Sequence, residues 1–359
     1  MTQRILVINP GSTSTKLAVF DGERELFRDS VAHSGEETGR FHRAIDQLDF
    51  RKGCVLASLE RHGVPLSSLT CIVSRGGMLP PCKTGAYAVN ADMLAYVNDD
   101  RLIAEHISNV GCAVADAIAR PLGIPAYIYD PVVVDELAPI ARVTGLPELP
   151  KESRGHALNT RAMAYKCAAE TLHRPFDACT FIVLHLGGGV STWLFHEGKA
   201  IDMYSDDDSG FGPERCGRLQ AGPLAALCFS GKYTRAEMAK MIRGKGGLKA
   251  HLGTSDAREV EKMIDEGDEH AALIYDAFAY SMAKSAGDLA TVVCGRVDRI
   301  ILTGGVAYSR RVTEAIRKRV EWIAPVEVMP GEYELEALAA GGLRVMRGEE
   351  KPREFVWKG

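Results

Sequence analysis

A strand–turn–strand pattern occurs twice in this chain, about half a chain apart. Ile5–Phe20 reads ILVINPGSTSTKLAVF: an apolar run, a turn of Gly, Ser and Thr, and a second apolar run. Phe181–Phe195 reads FIVLHLGGGVSTWLF, with the same layout, and leads after His196-Glu197-Gly198-Lys199 into a further strand. Short apolar runs closed by glycine and hydroxyl residues are strands that turn back on themselves. Hairpins are common, so one such unit says little. Two sharing this turn chemistry predict a chain built from two similar halves.

Around the echo, strand and helix signals alternate. Apolar runs at Ile5–Ile8, Cys71–Val73, Ala126–Tyr129, Phe181–Leu184 and Arg299–Leu302 predict buried strands. Helical patterns cover Leu102–Ala119, Ala157–Leu172, Asp256–Glu266, His270–Cys294, Ser309–Val320 and Glu334–Arg347. The alternation predicts an α/β protein whose helices cover mixed sheets. With 359 residues, 46% of them hydrophobic, two domains are expected. They are placed at 1–150, joined by the C-terminal helix 332–359, and at 151–331, with Pro139–Pro150 as the segment between them.

Charge narrows the function classes. Lys and Arg number 43 against 47 Asp and Glu, a net charge of −4, and no basic block stands out. A nucleic-acid or anionic-membrane partner is therefore not expected. No apolar run approaches the roughly 18 residues of a membrane span, and the apolar start is too short for a signal peptide. A cytoplasmic protein is expected. The nine cysteines stand singly with no CxxC pair, which points away from a disulfide scaffold or zinc ribbon.

Three turns carry candidate chemistry. Asn9-Pro10-Gly11-Ser12-Thr13-Ser14-Thr15-Lys16 sits at a strand end, dense in hydroxyls, and such a turn can aim N–H and O–H groups at a phosphate. It is neither a Walker loop nor a dinucleotide fingerprint, since GxxxxGK[ST] is absent and a strand follows. An ordinary hairpin is the bland alternative. His185-Leu186-Gly187-Gly188-Gly189 and Thr303-Gly304-Gly305 are the other two, and consecutive glycines are easiest to understand where a ligand approaches the main chain. Arg75 follows a buried strand, and Arg215 lies in a Gly/Pro-rich loop; an arginine fork suits carboxylate or phosphate oxygens. Asp130 ends a strand like a carboxylate that organises Mg²⁺. His156 precedes a helical run and could cap it. Asp206-Asp207-Asp208 reads as a solvated loop rather than a metal site.

Taken together, INPGSTSTKLAVF, VSRGG, HISN, IYDP, HALN, HLGGGVS, GPERCG, ILTGGVA and PGEYEL resemble the acetate/butyrate kinase (acetokinase) family, in its butyrate-kinase branch, and span essentially the whole chain. The resemblance implies two ribonuclease-H-like domains of the acetate and sugar kinase, heat-shock ATPase and actin superfamily, with a cleft that closes on ATP. It implies phosphorylation of butyrate, or another short-chain carboxylate, by ATP with Mg²⁺, and a homodimer. Acetate, propionate or branched-chain acids within the family, or a sugar hydroxyl on the same fold, are the alternatives. By the same resemblance Asn9, Ser12, Ser14 and Lys16 match the first phosphate loop. Arg75 and Arg215 match the substrate-gripping arginines, His156 the histidine on the phosphoryl group, and His106 a second such histidine. Asp130 matches the catalytic aspartate. His185 and Gly187, Gly188 and Gly189 match the second phosphate loop, Gly304 and Gly305 the adenosine loop, and Glu334, between Glu332 and Glu336, the magnesium-associated glutamate. Gly155 stands where the family places an aromatic residue, and Gly188 where acetate kinases carry Asn.

Overall fold

The computed structural model describes residues 3–101 and 106–358. The chain divides into two units, Met1–Asp135 with Tyr333–Gly359, and Glu136–Glu332.

In the first unit, β1 (Arg4–Pro10), β2 (Ser14–Asp21) and β3 (Arg24–Ala32) form an antiparallel meander. β4 (Cys71–Arg75) runs parallel to β1, and β6 (Ala126–Tyr129) parallel to β4. The short β5 (Ala86–Ala88) and the pair Arg353–Glu354 extend the sheet to seven strands. Side chains alternate between the two faces of a strand. Leu6, Ile8 and Ile72 therefore pack with Val55, Leu59 and Val114 from the helices Leu48–Arg61 and Val110–Ala119. Ile5 and Val73 face the helix Glu334–Met346 instead. That helix comes so close that a Cβ on Gly342 would stand 2.6 Å from Val73 Cγ2.

The second unit repeats the plan. β7 (Thr180–Leu186), β8 (Val190–His196) and β9 (Lys199–Tyr204) form the meander, and β10 (Arg299–Thr303) and β11 (Val326–Val328) continue it in parallel from β7. The order β11-β10-β7-β8-β9 thus reproduces β6-β4-β1-β2-β3, direction for direction. Even the irregularity is shared: pairing with the third meander strand slips between Val19 and Phe20 in one unit, and between Leu194 and Phe195 in the other. The echo in the sequence is an echo in topology. The helix Glu269–Val292 lays Ile274, Phe278, Met282 and Leu289 against Ile182, Leu184 and Leu186, at the three-to-four-residue spacing of one helical face.

All five expected strands form. The expected helix Leu102–Ala119 is regular only over Val110–Ala119, after a 3₁₀ turn at Ile107–Asn109; Leu102–Glu105 lie outside the described residues. Ala157–Leu172 is α-helical to Lys166 and then widens to a π turn over Cys167–Leu172, ending at His173 with φ +51°. The stretch Pro139–Pro150 lies in the second unit, next to Ala138, whose N–H donates to the Ile201 carbonyl at 2.8 Å. Among the described residues no helix is long and apolar enough to cross a membrane.

Candidate active site

The first unit gathers its candidates at one end of its sheet. β1 and β4 are parallel neighbours with Ile8 opposite Ser74, so Asn9 and Arg75 emerge together. Both turn to Glu334, the first residue of its helix and 5% exposed. Asn9 Nδ2 donates to Glu334 Oε2, and Arg75 Nη1 donates to the same oxygen at 3.2 Å. Asn9 Oδ1 and Arg75 Nε are buried with no partner among the described residues. A buried amide oxygen left unused beside a carboxylate is the donor chemistry of Mg²⁺, which takes few protein oxygens and keeps water and phosphate as its other ligands. Asn9 and Glu334 therefore fit such an ion. Glu336 is committed to Arg28, and Glu332 lines a cavity of the second unit.

Asp130 follows β6, whose Tyr129 lies opposite Arg75, so it reaches the same sheet end. Its φ of +37° is unusual for a residue with a side chain. Oδ1 accepts from Thr84 Oγ1 at 2.6 Å and from the Gly85 N–H at 2.7 Å, and these bonds hold the strained backbone in place. In the β1–β2 hairpin Pro10 pairs with Thr15, which leaves Gly11–Ser14 as the loop, closed by Gly11 N–H to the Ser14 carbonyl at 2.8 Å. Ser12 is exposed, Ser14 half-buried, and Lys16 lies across from Asn9. His106 is exposed, its Nδ1 accepting from the Ser108 N–H at 3.2 Å.

In the second unit, His156 occupies the N-cap position, but among the described residues its side chain makes no capping bond. Its ring instead stacks on His185, with centroids 3.8 Å apart. His156 Nδ1 lies 3.0 Å from Ser191 Oγ, and Trp193 Nε1 donates to that oxygen. Asn159 Nδ2 meets His185 Nδ1 at 3.0 Å. An amide nitrogen only donates, so His185 Nδ1 accepts and the ring proton sits on Nε2. A Cβ on Gly155 would stand 3.0 Å from Met203 Cε and 3.1 Å from Ser191 Cβ and Trp193 Cζ2, so side chains of β8 and β9 already fill the space beside it.

Gly187, Gly188 and Gly189 form the β7–β8 loop. With Gly305, Asp256, Arg258, Glu261 and Tyr308, the first two line a cavity of about 620 Å³. The glycines divide by role. Gly304 has φ +90°, and a Cβ on it would stand 2.4 Å from the Leu186 carbonyl oxygen, so the fold itself requires it. A Cβ on Gly188 or Gly305 would meet nothing within 4 Å among the described residues, so these two leave the cavity open.

Asp256, Arg258, Glu261 and Tyr308 carry no site signal in the sequence, where Asp256–Glu266 and Ser309–Val320 read only as helices; an aspartate such as Asp256 at a helix start can be a cap. It is one, with Oδ1 accepting from the Arg258 N–H at 2.9 Å. The side chain and N–H of Arg258 hold the Asp256 carboxyl down at about 2. Arg215 Nε donates to Asp206 Oδ2 at 2.8 Å, while Arg243 bonds both Asp206 and Asp207. The expected solvated aspartate loop is thus corrected in part: the Asp206 and Asp207 carboxylates are ion-paired, and Asp208 Oδ1 accepts from the Ser205 N–H and Oγ. Among the described residues no group of three His, Cys, Asp or Glu is placed to hold a metal.

Residues 159–329 match the acetokinase family. The acetate kinase of Porphyromonas gingivalis superposes on 96% of this chain and 100% of its own, with a TM-score of 0.79 at 18% identity. A propionate kinase from Francisella tularensis subsp. tularensis SCHU S4 gives 0.74 at 17% identity, covering 94% and 98%. The acetate kinase of Entamoeba histolytica gives 0.75 at 15%, also covering 94% and 98%. The chain has the two-sheet α/β fold of the acetate kinases, and its residues 159–329 match the acetokinase family.

Proposed function

We propose that this protein transfers the terminal phosphoryl group of ATP, reversibly, to a short-chain carboxylate, and that butyrate is the acid it takes. The observation that carries this reading is the Asn9–Arg75–Glu334 group: one buried carboxylate binds an amide and a guanidinium that each keep an unused polar atom among the described residues. The acetokinase-family match supports the same chemistry.

A carboxylate is already ionised at neutral pH, its ordinary pKa being roughly 4 to 5, so it attacks without a general base. What remains is to hold two anions together and to stabilise charge on a loose phosphoryl transition state. Arg75 and Arg215 take the carboxylate and phosphoryl oxygens, and Lys16, Ser12 and Ser14 the phosphates on the side of the first turn. His156 and His185 serve as phosphoryl and phosphate donors, and His106 assists. The cavity at Gly187, Gly188, Gly305, Asp256 and Arg258 takes the nucleoside, with Gly189 and Gly304 shaping its loops. Asp130 orders the surroundings of the reacting oxygens. Mg²⁺ held by Asn9 and Glu334 would neutralise phosphate charge. The homodimer belongs to the same proposal; the helix Ala221–Cys228 buries none of its residues, and Phe229 beyond it is 90% exposed.

The test is ATP turnover with C2 to C5 acids and a panel of sugars, with hydroxylamine present. Hydroxamate formed fastest with butyrate is the expected result. One methylene is worth roughly 1–3 kcal/mol and butyrate has two more than acetate, so kcat/KM should separate them by about thirtyfold or more. Hydroxamate from acetate alone moves the substrate within the family. Sugar phosphate without hydroxamate overturns the reading.

A further inference from the structure

The helix Leu48–Arg61 places an arginine where its buried face calls for an apolar side chain. Arg51 has no exposed surface and lies on the buried side with Val55, Ser58 and Leu59. Its Nε donates to Gln47 Oε1 at 3.0 Å, and its Nη1 to the Ser14 carbonyl at 3.0 Å and Thr15 Oγ1 at 2.9 Å. Nη2 is buried with no partner among the described residues, and no described carboxylate pairs with the group. Other well-buried guanidinium groups of this chain have their acids: Arg161 has Glu136 and Arg75 has Glu334.

The ionisable neighbours are His33 and Cys54, and neither carries negative charge at neutral pH. Glu37, further out, is exposed and spends its carboxylate on capping Ser34. Burial draws the Arg51 pKa down to about 10, which still leaves it a cation at neutral pH. Burying a charge without a counter-charge is costly, and the fold does it here, directly behind the Gly11–Ser14 turn.

We propose that Arg51 is a positioning residue for an anion site at this turn: it fixes the Ser14 carbonyl and the Thr15 hydroxyl from behind, and its missing counter-charge is a phosphate group bound in front. Thr15 Oγ1 accepts from Arg51 and lies 2.8 Å from His33 Nε2, so its own proton can be donated onward to that ring. The backing of the turn is one hydrogen-bonded chain from Gln47 to His33. The inference rests on the turn being a phosphate site, as proposed above.

Arg51→Gln keeps a hydrogen-bonding side chain and removes the charge; Arg51→Lys keeps the charge and loses the fork. The melting temperature of the full chain is followed against sodium tripolyphosphate, and KM for ATP is measured beside kcat. The wild type should gain stability with tripolyphosphate, less so in high salt. Arg51→Gln should need at least tenfold more tripolyphosphate for the same gain and show a matching rise in KM, and Arg51→Lys should recover most of both. No gain in the wild type removes the phosphate reading of the turn and this inference with it. An equal gain in wild type and Arg51→Gln overturns the role of Arg51 and leaves the reading of the turn standing. If Arg51→Gln does not fold, Arg51→Lys decides: loss of the gain with the charge retained overturns the proposal, and its retention supports it.

Discussion

Asn9 and Glu334 are 325 positions apart in the chain, and the Asn9 amide donates to Glu334 Oε2 within the first unit. The same oxygen receives Arg75, so removing its charge and removing the whole side chain are different experiments. Glu334→Gln keeps an acceptor: the fold should survive, while the Mg²⁺ concentration for half-maximal activity rises about tenfold or more. Glu334→Ala strands Arg75 and should cost about 3 kcal/mol in a denaturant titration. An unchanged Mg²⁺ requirement in Glu334→Gln would take Glu334 out of cation binding.

Asp130 offers a cleaner separation of charge from structure. Asn tolerates a positive φ, and its Oδ1 can accept the same bonds from Thr84 and Gly85. Asp130→Asn should melt within a few degrees of the wild type and lose about a hundredfold or more in kcat, as removal of a group acting on transition-state charge does. Wild-type turnover in a folded variant would reduce Asp130 to a structural residue.

Arg215 is held by Asp206, which keeps Arg243 as a second partner. Arg215→Ala should therefore cost no more than about 1 kcal/mol of stability, because its ion pair is partly exposed. If the guanidinium stabilises the transferring phosphoryl group, kcat falls about a thousandfold. Steady-state kinetics with a melting curve reads both, and near-normal kcat ends the assignment.

The glycines predict opposite outcomes for one substitution. Gly304→Ala meets the Leu186 carbonyl at 2.4 Å from a backbone at φ +90°, and should destabilise by about 3 kcal/mol or fail to fold. Gly188→Ala and Gly305→Ala add a methyl group to open cavity, so stability should hold while KM for ATP rises. Equal effects at all three would refute the division.

His33 sets a pH dependence. Burial, then the Arg51 charge, hold its pKa below the ordinary value of 6.5. The unfolded chain takes up a proton near that pH while the folded chain does not, so folding stability falls as pH drops below about 6.5. Among the described residues Arg51, Thr15, Phe50 and Glu37 lie around the ring, and of these only Glu37 favours protonation. His33→Gln should flatten the fall in melting temperature between pH 7 and pH 5. A slope as steep as the wild type would place the acid sensitivity elsewhere.

Much of the fold was legible in the sequence, and for a physical reason. Buried strands and one-faced helices must write their periodicity into the chain, so Ile5–Ile8, Phe181–Leu184 and His270–Cys294 declare themselves, and the repeated turn announces a repeated unit. The helix Leu48–Arg61 leaves only a weak trace in the sequence because Arg51 and Ser58 interrupt its buried face. The candidate residue types stood out as well, because Gly-rich turns and an arginine at a strand end suit an anion. Pairings between distant residues did not. That Glu334 rather than Glu336 meets Asn9, that Gly304 serves the backbone of Leu186 while Gly305 serves a cavity, and that Ser191, Trp193 and Met203 fill the space beside Gly155 depend on which strands lie side by side. Local sequence fixes each element's period and its ends. Only packing between elements decides which side chains meet, since a contact across hundreds of residues leaves no mark on either local pattern.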